Sequence, residues 1–304
     1  MIAGQVSRNC PVCGRDDARA HLQKGELRLV RCGQCRMIYV NPVPAKFASG
    51  QYYDETGAEY YLSPAKLESD YAPVRFEREL KRFRKHCAGG AVLDVGCSSG
   101  AFLFQLQARF PGDYQVLGTD VSGPPLDYAE SRGVPVARGN FLEQEFGGKK
   151  FDTVTFWAVL EHLVEPRRFL EKASTILKPG GLCFVLVPNL DSLAARLLGP
   201  RYRYIYAQHL NYFTRATLTR LAETEFGVVE IRTTHFNPIV LWQDWRSRGT
   251  EVSNRERAEL LRKTTAYKQN VLLTPVRILY RLTEKALAAF RLADNLALVL
   301  RKNG

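Results

Sequence analysis

The feature that most constrains the fold of this 304-residue chain is an alternation of short apolar runs and amphipathic segments between residues 91 and 187. Short apolar runs predict buried strands, and apolar residues spaced three and four positions apart predict helices. We predict strands at 91–95, 115–119, 134–137, 151–156 and 182–187, and helices at 102–110 and 166–177. This order is typical of an α/β sheet with helices on both faces, in which ligands bind at the carboxyl ends of the strands.

The first predicted strand runs into the sequence Leu-Asp-Val-Gly-Cys-Ser-Ser-Gly at residues 93–100. Glycines after a strand let the backbone approach a ligand, and the helix that follows offers free N–H groups. Asp120 ends the next strand, where a carboxylate can accept hydrogen bonds from a ribose diol. The pattern therefore predicts a nucleoside-containing ligand. The alternative is that Asp94 and Asp120 only cap a helix or form a turn.

Two other chemistries use a glycine-rich turn at this place. A nicotinamide-binding turn has the pattern G-x-G-x-x-G, but positions 96, 98 and 101 are glycine, serine and alanine. The nucleophile turn of α/β-hydrolases has the pattern G-x-S-x-G, which the letters at 96–100 match. That fold also needs strands and an oxyanion loop upstream, and residues 1–86 have no His-Gly-Gly run. Both readings are therefore disfavoured.

The amino-terminal segment carries two Cys-x-x-Cys pairs, Cys10 with Cys13 and Cys32 with Cys35. Two such pairs at this separation match the spacing of a four-cysteine zinc site. Gly14 and Gly33 are expected to allow the tight turns, and residues 27–31 alternate like a strand. Four cysteine ligands leave no open coordination position, so we predict a structural zinc ribbon.

The chain resembles class I S-adenosylmethionine-dependent methyltransferases. The resemblance rests on residues 93–100, 151–154, 159–163 and 177–181. A bacterial subgroup with an amino-terminal four-cysteine ribbon is similar at Asn41-Pro42, at Tyr52-Tyr53 and at residues 209–214. The resemblance implies a Rossmann-like, seven-stranded, mostly parallel sheet with an antiparallel last strand. Residues 228–233 and 295–300 would form its closing hairpin, interrupted by a helical insertion near the carboxyl terminus.

The same resemblance implies S-adenosylmethionine and structural zinc as cofactors. It places Asp94 near the amino-acid end of S-adenosylmethionine and lets the backbone approach the cofactor closely at the two glycines of the turn. Asp120 would hold the ribose hydroxyls, and Val121 would lie beside the adenine. Asn140 would stand where the family usually has an acid at the adenine edge. The complete set of implied cofactor-binding residues is Asp94, Gly96, Gly100, Asp120, Val121, Asn140, Phe141, Trp157 and Ala158.

Methyl transfer to a hydroxyl benefits from a general base, and histidine is the natural one near neutral pH. His162 follows Glu161 just after the fourth strand, and His209 lies in an aromatic segment at 202–213. Glu161, His162 and His209 are the predicted catalytic residues, with structural packing as the alternative for each histidine. A related quinone-directed group has a Glu-x-x-Glu-His cluster that can hold a metal. Here Ala158 replaces the first acid, which argues against metal-assisted transfer.

The acceptor is less constrained than the cofactor. Residues 156–159 lack the Asp/Asn-Pro-Pro-aromatic motif typical of enzymes that methylate exocyclic amines of bases. Arg201, Arg203 and nearby tyrosines could contact a sugar ring and its phosphates. We therefore expect a hydroxyl acceptor on a sugar, glycan or related small molecule, and do not favour nucleic acid. The alternative is an RNA-binding methyltransferase that holds nucleic acid through the ribbon and the basic ends.

Charge divides the chain into parts. The net charge of +12 lies at the two ends, and the centre is neutral. We expect a zinc ribbon at 1–45, a helical linker or lid at 46–86, a methyltransferase core at 87–239, a helical insertion at 240–292 and a last core strand at 293–304. The first residues do not look like a signal peptide, and no apolar run reaches the length of a membrane span.

The sequence predicts a helical stretch at 255–292, and residues 275–292 within it have the pattern of an amphipathic helix. One face carries apolar residues, and a basic stripe runs along Arg277, Arg281 and Lys285. Such a helix can lie on an anionic membrane surface or simply pack on the core. We therefore expect a cytoplasmic protein with peripheral contact at the inner membrane through 275–292. The predicted apolar face comprises Ile278, Leu279, Leu282, Ala286, Ala289 and Phe290.

Overall fold

The structure is a computed structural model that describes residues 4–48, 51–246, 252–269 and 274–304. Its core is a seven-stranded sheet in the spatial order β12-β13-β10-β9-β6-β7-β8. All neighbouring strands are parallel except β13, which is antiparallel to both β10 and β12. The predicted sheet with an antiparallel last strand is therefore confirmed. Its strands are β6 (Gly90–Val95), β7 (Tyr114–Asp120), β8 (Val136–Arg138), β9 (Phe151–Trp157), β10 (Leu177–Pro188), β12 (Phe226–Thr234) and β13 (Asn295–Lys302).

Apolar side chains on both faces of this sheet form the core. In β10, Cys183 and Val185 belong to one buried cluster, whereas Leu182 and Phe184 belong to the cluster on the opposite face. This alternation follows from the two-residue period of a strand, and it explains why the buried strands read as continuous apolar runs. The helices that cover the sheet are α5 (Ala101–Arg109), α6 (Gly123–Ser131), α7 (Pro166–Ile176) and α9 (Arg215–Ala222).

The amino-terminal segment forms a second, smaller sheet in the order β11-β4-β3-β2. Strands β2 (Ala18–Lys24), β3 (Leu27–Cys32) and β4 (Ile38–Val40) come from the ribbon, but β11 (Asn211–Tyr212) comes from the chain after β10. Two short strands, β1 (Gln5–Val6) and β5 (Val43–Pro44), pair antiparallel beside it. The ribbon is thus joined to the core by strand pairing.

Further helices flank the core. In the described part of the chain, four lie between the ribbon and β6, one follows β10, and three lie between β12 and β13, where a helical insertion was predicted. Ser69 and Thr265 join the first group to the insertion through a buried hydrogen bond of 2.6 Å. These helices are α1 (Ala45–Ala48), α2 (Gln51–Tyr61), α3 (Pro64–Tyr71), α4 (Glu77–His86), α8 (Leu193–Leu198), α10 (Pro238–Arg246), α11 (Asn254–Gln269) and α12 (Thr274–Ala289).

Some element boundaries differ from the sequence prediction. The strand β10 begins at Leu177, because this residue already pairs with Phe151 before an irregular stretch through Gly180, whose φ is 71°. The predicted helical stretch at 255–292 is two helices, α11 and α12, and residues 270–273 between them lie outside the described residues. Among the described residues, no helix is both long and apolar enough to cross a membrane.

Candidate functional site

The turn between β6 and α5 passes through three residues with positive φ angles, Gly96, Ser98 and Gly100. A Cβ atom at Gly96 would lie 2.6 Å from Val159, and one at Gly100 would lie 2.9 Å from Ala129. Both positions therefore require glycine for conformation and for space. Ser98 takes the left-handed conformation with a φ of 50°, and its Oγ atom is buried without a hydrogen-bond partner among the described residues.

Asp120 at the end of β7 closes this turn from the neighbouring strand. Its Oδ2 atom accepts a hydrogen bond from the N–H of Ser98 at 2.9 Å, and its Oδ1 atom accepts one from the N–H of Ser122 at 3.1 Å. The turn-forming interpretation left open by the sequence therefore describes part of its role. A carboxylate offers about four acceptor positions, so turn formation and binding of a hydroxyl are compatible at this side chain. Val121 beside it is 41% exposed.

Asp94 lies at the centre of the site and is almost fully buried. Its Oδ1 atom accepts a hydrogen bond from the Thr155 hydroxyl at 2.6 Å. Burial raises the pKa of Asp94 to about 7, and the nearby charge of Asp120 adds to this effect. A cationic group placed beside Asp94 would favour its ionised form. The side chain therefore suits a ligand with an ammonium group.

The other residues expected around the cofactor follow β8 and β9. Asn140 caps its own loop, since its Oδ1 atom accepts a backbone N–H two residues ahead at 3.1 Å. Phe141 is 3% exposed, and its ring centroid lies 5.5 Å from that of Phe169. The Nε1 atom of Trp157 is a buried donor without a partner among the described residues, and Ala158 has a φ of 57°.

A cavity of about 890 Å³ joins these residues to the helices outside the core. It is lined by the predicted cofactor residues except Gly100, which precedes α5 and packs beside Ala129 instead. Glu161, His162 and His209 also line it. The far walls come from α2, α3, α11 and the loop before β11. The cavity therefore has room for a nucleotide at the strand ends and for a second reactant beneath the helices.

The structure brings the three predicted catalytic residues together, although they come from distant parts of the chain. The ring centroids of His162 and His209 lie 4.7 Å apart. Both carboxyl oxygens of Glu161 and the Nδ1 atom of His209 are buried without hydrogen-bond partners among the described residues. Buried polar atoms are rarely left unpaired. This cluster is therefore suited to interact with a ligand or an ion.

Hydrogen bonding fixes the tautomer of His162. Its Nδ1 atom lies 2.9 Å from the backbone carbonyl oxygen of Gln208, which can only accept. Nδ1 must therefore carry the hydrogen, and Nε2 presents a lone pair. Burial lowers the pKa of His162 to about 4 and raises the pKa of Glu161 to about 8. Near pH 7 the imidazole is thus neutral and the carboxyl group is protonated.

The cluster also has the composition of a metal site. One ligand atom from each of Glu161, His162 and His209 lies within 4.8 Å of the others. The sequence argued against a metal because Ala158 replaces an acid, and it did not predict that His209 would stand beside His162. Two histidines and a carboxylate can hold a divalent ion or take up a proton from a hydroxyl group.

The four ribbon cysteines form a compact cluster. The Sγ atoms of Cys10 and Cys35 are 3.4 Å apart, those of Cys13 and Cys32 are 3.5 Å apart, and all four lie within 4.8 Å of one another. These distances are too long for a disulfide bond of about 2.05 Å. Four converging thiols with no other ligand type match a structural, tetrahedral zinc site.

The two glycines of the ribbon turns differ in conformation. Gly14 has a positive φ angle and Gly33 does not, and a Cβ atom at Gly33 would lie 2.2 Å from the Asp17 carboxylate. The residue that corresponds to Gly14 in the second turn is Arg36, since each directly follows the second cysteine of its pair. Their φ angles are 72° and 63°.

Arg8 anchors the ribbon on the side of the core that carries His162 and His209. Its guanidinium donates hydrogen bonds to the carbonyl oxygens of Val164 at 2.7 Å and Leu210 at 2.6 Å, and to Oδ1 of Asn211 at 3.1 Å. These acceptors follow His162 and His209 directly along the chain. The ribbon therefore supports the two segments that carry the histidines.

Comparison with known proteins was made for both sequence and structure. A family profile described as a methyltransferase domain matches residues 69–229. A protein of Mycolicibacterium smegmatis named "Probable S-adenosylmethionine-dependent methyltransferase" is 29% identical over 171 residues, which are 55% of this chain and 63% of that protein. A ubiquinone biosynthesis O-methyltransferase of Rhodopseudomonas palustris is 31% identical over 173 residues, which are 52% of this chain and 66% of that protein. The chain thus spans slightly less than two thirds of these relatives.

Solved structures agree on the fold. The N-methyltransferase NodS of Bradyrhizobium japonicum, solved with S-adenosyl-L-homocysteine, gives a TM-score of 0.50 at 15% identity over 83% of this chain and 98% of its own. The sheet, the glycine turn and these matches define a class I S-adenosylmethionine-dependent methyltransferase. Because the family profile covers more than half of the chain, the protein belongs to this methyltransferase-domain family. Its cofactor is S-adenosylmethionine.

Proposed function

We propose that the protein transfers the methyl group of S-adenosylmethionine to a hydroxyl oxygen of a sugar, glycan or related small molecule. The observation that carries this proposal is the buried cluster of Glu161, His162 and His209, which faces the same cavity as the glycine turn. A hydroxyl oxygen is a weak nucleophile until its proton is removed, and His162 presents an unprotonated nitrogen for that purpose. The relatives named as ubiquinone biosynthesis O-methyltransferases support an oxygen acceptor.

In this proposal the cofactor is held by the residues at the strand ends. Asp94 pairs with the ammonium group of the methionine part, Asp120 accepts from the ribose hydroxyls, and Val121 lies beside the adenine. The bound cofactor supplies an electrophilic methyl group. The orphaned donors Ser98 Oγ and Trp157 Nε1 give this part of the cavity unused hydrogen-bonding capacity among the described residues, which fits a polar ligand.

The remaining steps belong to residues around the acceptor. Nε2 of His162 would take the proton of the acceptor hydroxyl group, while S-adenosylmethionine would supply the methyl group that the oxygen receives. The carbonyl of Gln208 holds the ring orientation through Nδ1. The rings of Tyr53 and Tyr204 lie 5.9 Å from those of His162 and His209, respectively, and form walls suited to the flat face of a ring-shaped acceptor. Alignment and exclusion of water supply much of the rate.

The test is transfer of labelled methyl from S-adenosylmethionine into fractionated cell material. Small metabolites, lipid-linked glycan, polysaccharide, RNA and protein are separated after reaction. The double variant Asp94→Ala, Asp120→Ala is the blank, and Asp127→Ala, exposed on α6, is the matched control. We expect label in the sugar or glycan fractions with wild type and Asp127→Ala, and none with the blank. Label in RNA would instead favour the alternative of an RNA-binding methyltransferase, and label in protein would exclude both.

We also propose peripheral membrane contact through α12. Its predicted apolar face points outward, since Ile278, Leu279 and Leu282 are each more than half exposed. Arg281 and Lys285 are exposed beside them. Tyr280, on the other side, donates to the carbonyl of Phe236, so the helix is anchored by its inner face. Exposed apolar residues flanked by cations suit an anionic lipid surface.

Sedimentation with lipid vesicles tests this contact. The wild-type protein should co-sediment with vesicles of phosphatidylcholine and phosphatidylglycerol, and less with phosphatidylcholine alone. The double variant Ile278→Gln, Leu282→Gln should lose most of this binding, by about tenfold. Val229→Gln, which changes an exposed apolar residue of β12, is the control and should bind as wild type. Equal sedimentation of the two variants would exclude α12 as the contact.

A further inference from the structure

The wall of the cavity beneath the helices carries four cations, Lys66, Arg75, Arg203 and Arg257. Lys66 and Arg75 both pair with the carboxylate of Asp70. Arg203 lies 2.6 Å from the carboxylate of Asp244, so three of the four cations have a carboxylate partner, although Lys66 and Arg75 share one. Arg257 has no carboxylate within 4.0 Å in the part of the chain that the structure describes.

Arg257 stands next to the catalytic cluster. Its guanidinium carbon lies 3.8 Å from the centre of the Tyr206 ring. The Tyr206 ring in turn lies 4.3 Å from that of His209, which lies 4.7 Å from His162. The Nε atom of Arg257 is buried and has no hydrogen-bond partner among the described residues. The guanidinium therefore has an unused donor, Nε, in the same wall of the cavity as the proposed base.

The side chain of Arg257 is half-buried and lines the cavity. Its ring contact is to Tyr206, an uncharged side chain. A cation that is partly desolvated and unpaired is unfavourable, and a bound anion would remove that cost.

We propose that the acceptor carries an oxyanion, a carboxylate or a phosphate, which pairs with Arg257 while its hydroxyl group faces His162. Arginine suits this role because its planar donors match two oxygens of either group. The inference rests on the proposed function, and it narrows the acceptor to an acidic hydroxy compound. The sequence had suggested Arg201 and Arg203 for phosphate contact, but Arg203 is paired with Asp244 and Arg201 is exposed.

The charge of the labelled product tests this proposal directly. The product formed from cell material is passed over an anion exchanger at neutral pH, and we expect it to be retained. Loss of retention after phosphatase treatment would identify a phosphate monoester. Retention after treatment with both phosphatase and phosphodiesterase would identify a carboxylate. A methylated product that is not retained would overturn the anion while leaving hydroxyl methylation intact.

Variants of Arg257 supply a second, independent readout. Arg257→Met should raise KM for the acceptor by about 10- to 100-fold with a smaller change in kcat, and Arg257→Lys should restore part of the loss. Arg255→Met, exposed on the same helix, is the control and should behave as wild type. An unchanged KM in Arg257→Met would overturn the proposal.

A binding measurement separates failure of this inference from failure of the proposed function. The protein loaded with S-adenosylhomocysteine is titrated with inorganic phosphate and with acetate as probes, which requires no turnover. Wild type and Arg255→Met should bind at least one of the anions, and Arg257→Met should bind it about tenfold more weakly. Equal affinity in all three proteins would contradict an anion site at Arg257 whatever the reaction is.

Discussion

Replacing His162 with glutamine will lower kcat by about 10²- to 10⁴-fold and leave the affinity for S-adenosylmethionine within about twofold of wild type. Glutamine is close to histidine in size, and its amide can still donate to the Gln208 carbonyl. It has no basic nitrogen, so only proton transfer is removed. Single-turnover methyl transfer and cofactor binding by calorimetry measure the two quantities separately.

The control for this variant is His21→Gln, which changes an exposed histidine of the ribbon and should leave turnover unchanged. His209→Gln tests the alternative assignment, because His209 also lines the cavity. If His162→Gln turns over at the wild-type rate while His209→Gln does not, the base is His209. If both variants are fully active, the cluster has no role in proton transfer.

The stability of the protein should depend on pH through His162, and the same variant tests this. The folded-state pKa of His162, about 4, is below the ordinary value of 6.5, so its neutral form is the one the fold accommodates. Its contribution to stability is present above pH 6.5 and is lost as the pH falls through 4. Thermal unfolding should therefore show a falling Tm over this window, with a total effect of roughly 3 kcal/mol at most. His162→Gln should flatten this decline.

Glu161 gives the opposite signature. Its folded-state pKa, about 8, is above the ordinary value of 4.5. The stabilising contribution is present below pH 4.5 and is lost as the pH rises through 8. Glu161→Gln, which mimics the protonated carboxyl group, should hold Tm more nearly constant on the alkaline side. We therefore expect the protein to lose stability at both ends of the pH range, through His162 at acidic pH and through Glu161 at alkaline pH.

The sheet could be predicted from the sequence because its signals are local. Each core strand is an apolar run. The glycines after β6 lie at positions where φ is positive and where a Cβ atom would have no room. The meeting of His162 with His209 had no such signal. It depends on hydrogen bonds between two segments that no periodicity connects, such as the one of 2.7 Å from the N–H of Leu210 to the carbonyl oxygen of Glu161. Spatial neighbours of this kind follow from the tertiary fold alone.

The orientation of Arg257 could also not be predicted from the sequence. In the sequence it is one of many charges on an amphipathic helix, and such charges usually face solvent. The structure turns this part of α11 toward the cavity, with its Ser69–Thr265 contact to α3 fixing the rotation. The apolar face of α12 is the opposite case. The spacing of its residues would also suit packing on the core, yet these residues are exposed. Periodicity predicts a helix face but not what covers it.

Loss of zinc from the ribbon should slow turnover, because the ribbon supports the segments that carry His162 and His209. Cys32→Ser should lower zinc content from one ion per chain to near zero and reduce methyl transfer by about 10- to 100-fold, while cofactor affinity changes little. The reason is the pairing of β4 with β11 and the Arg8 contacts, which hold the backbone after His162 and His209. Metal analysis, activity and cofactor titration are measured on the same preparations.

Arg8→Met separates loss of zinc from loss of docking. It should keep one zinc per chain yet show the same defect in turnover, since it removes charged hydrogen bonds to five backbone or side-chain amide oxygens, at a cost of about 3 kcal/mol. Cys183→Ala, in the core strand β10, is the control and should retain both zinc and activity. If Cys32→Ser is fully active, the ribbon does not position the histidines. Two metal ions per wild-type chain would mean that Glu161, His162 and His209 hold the second, and His162 would then be a ligand rather than the base.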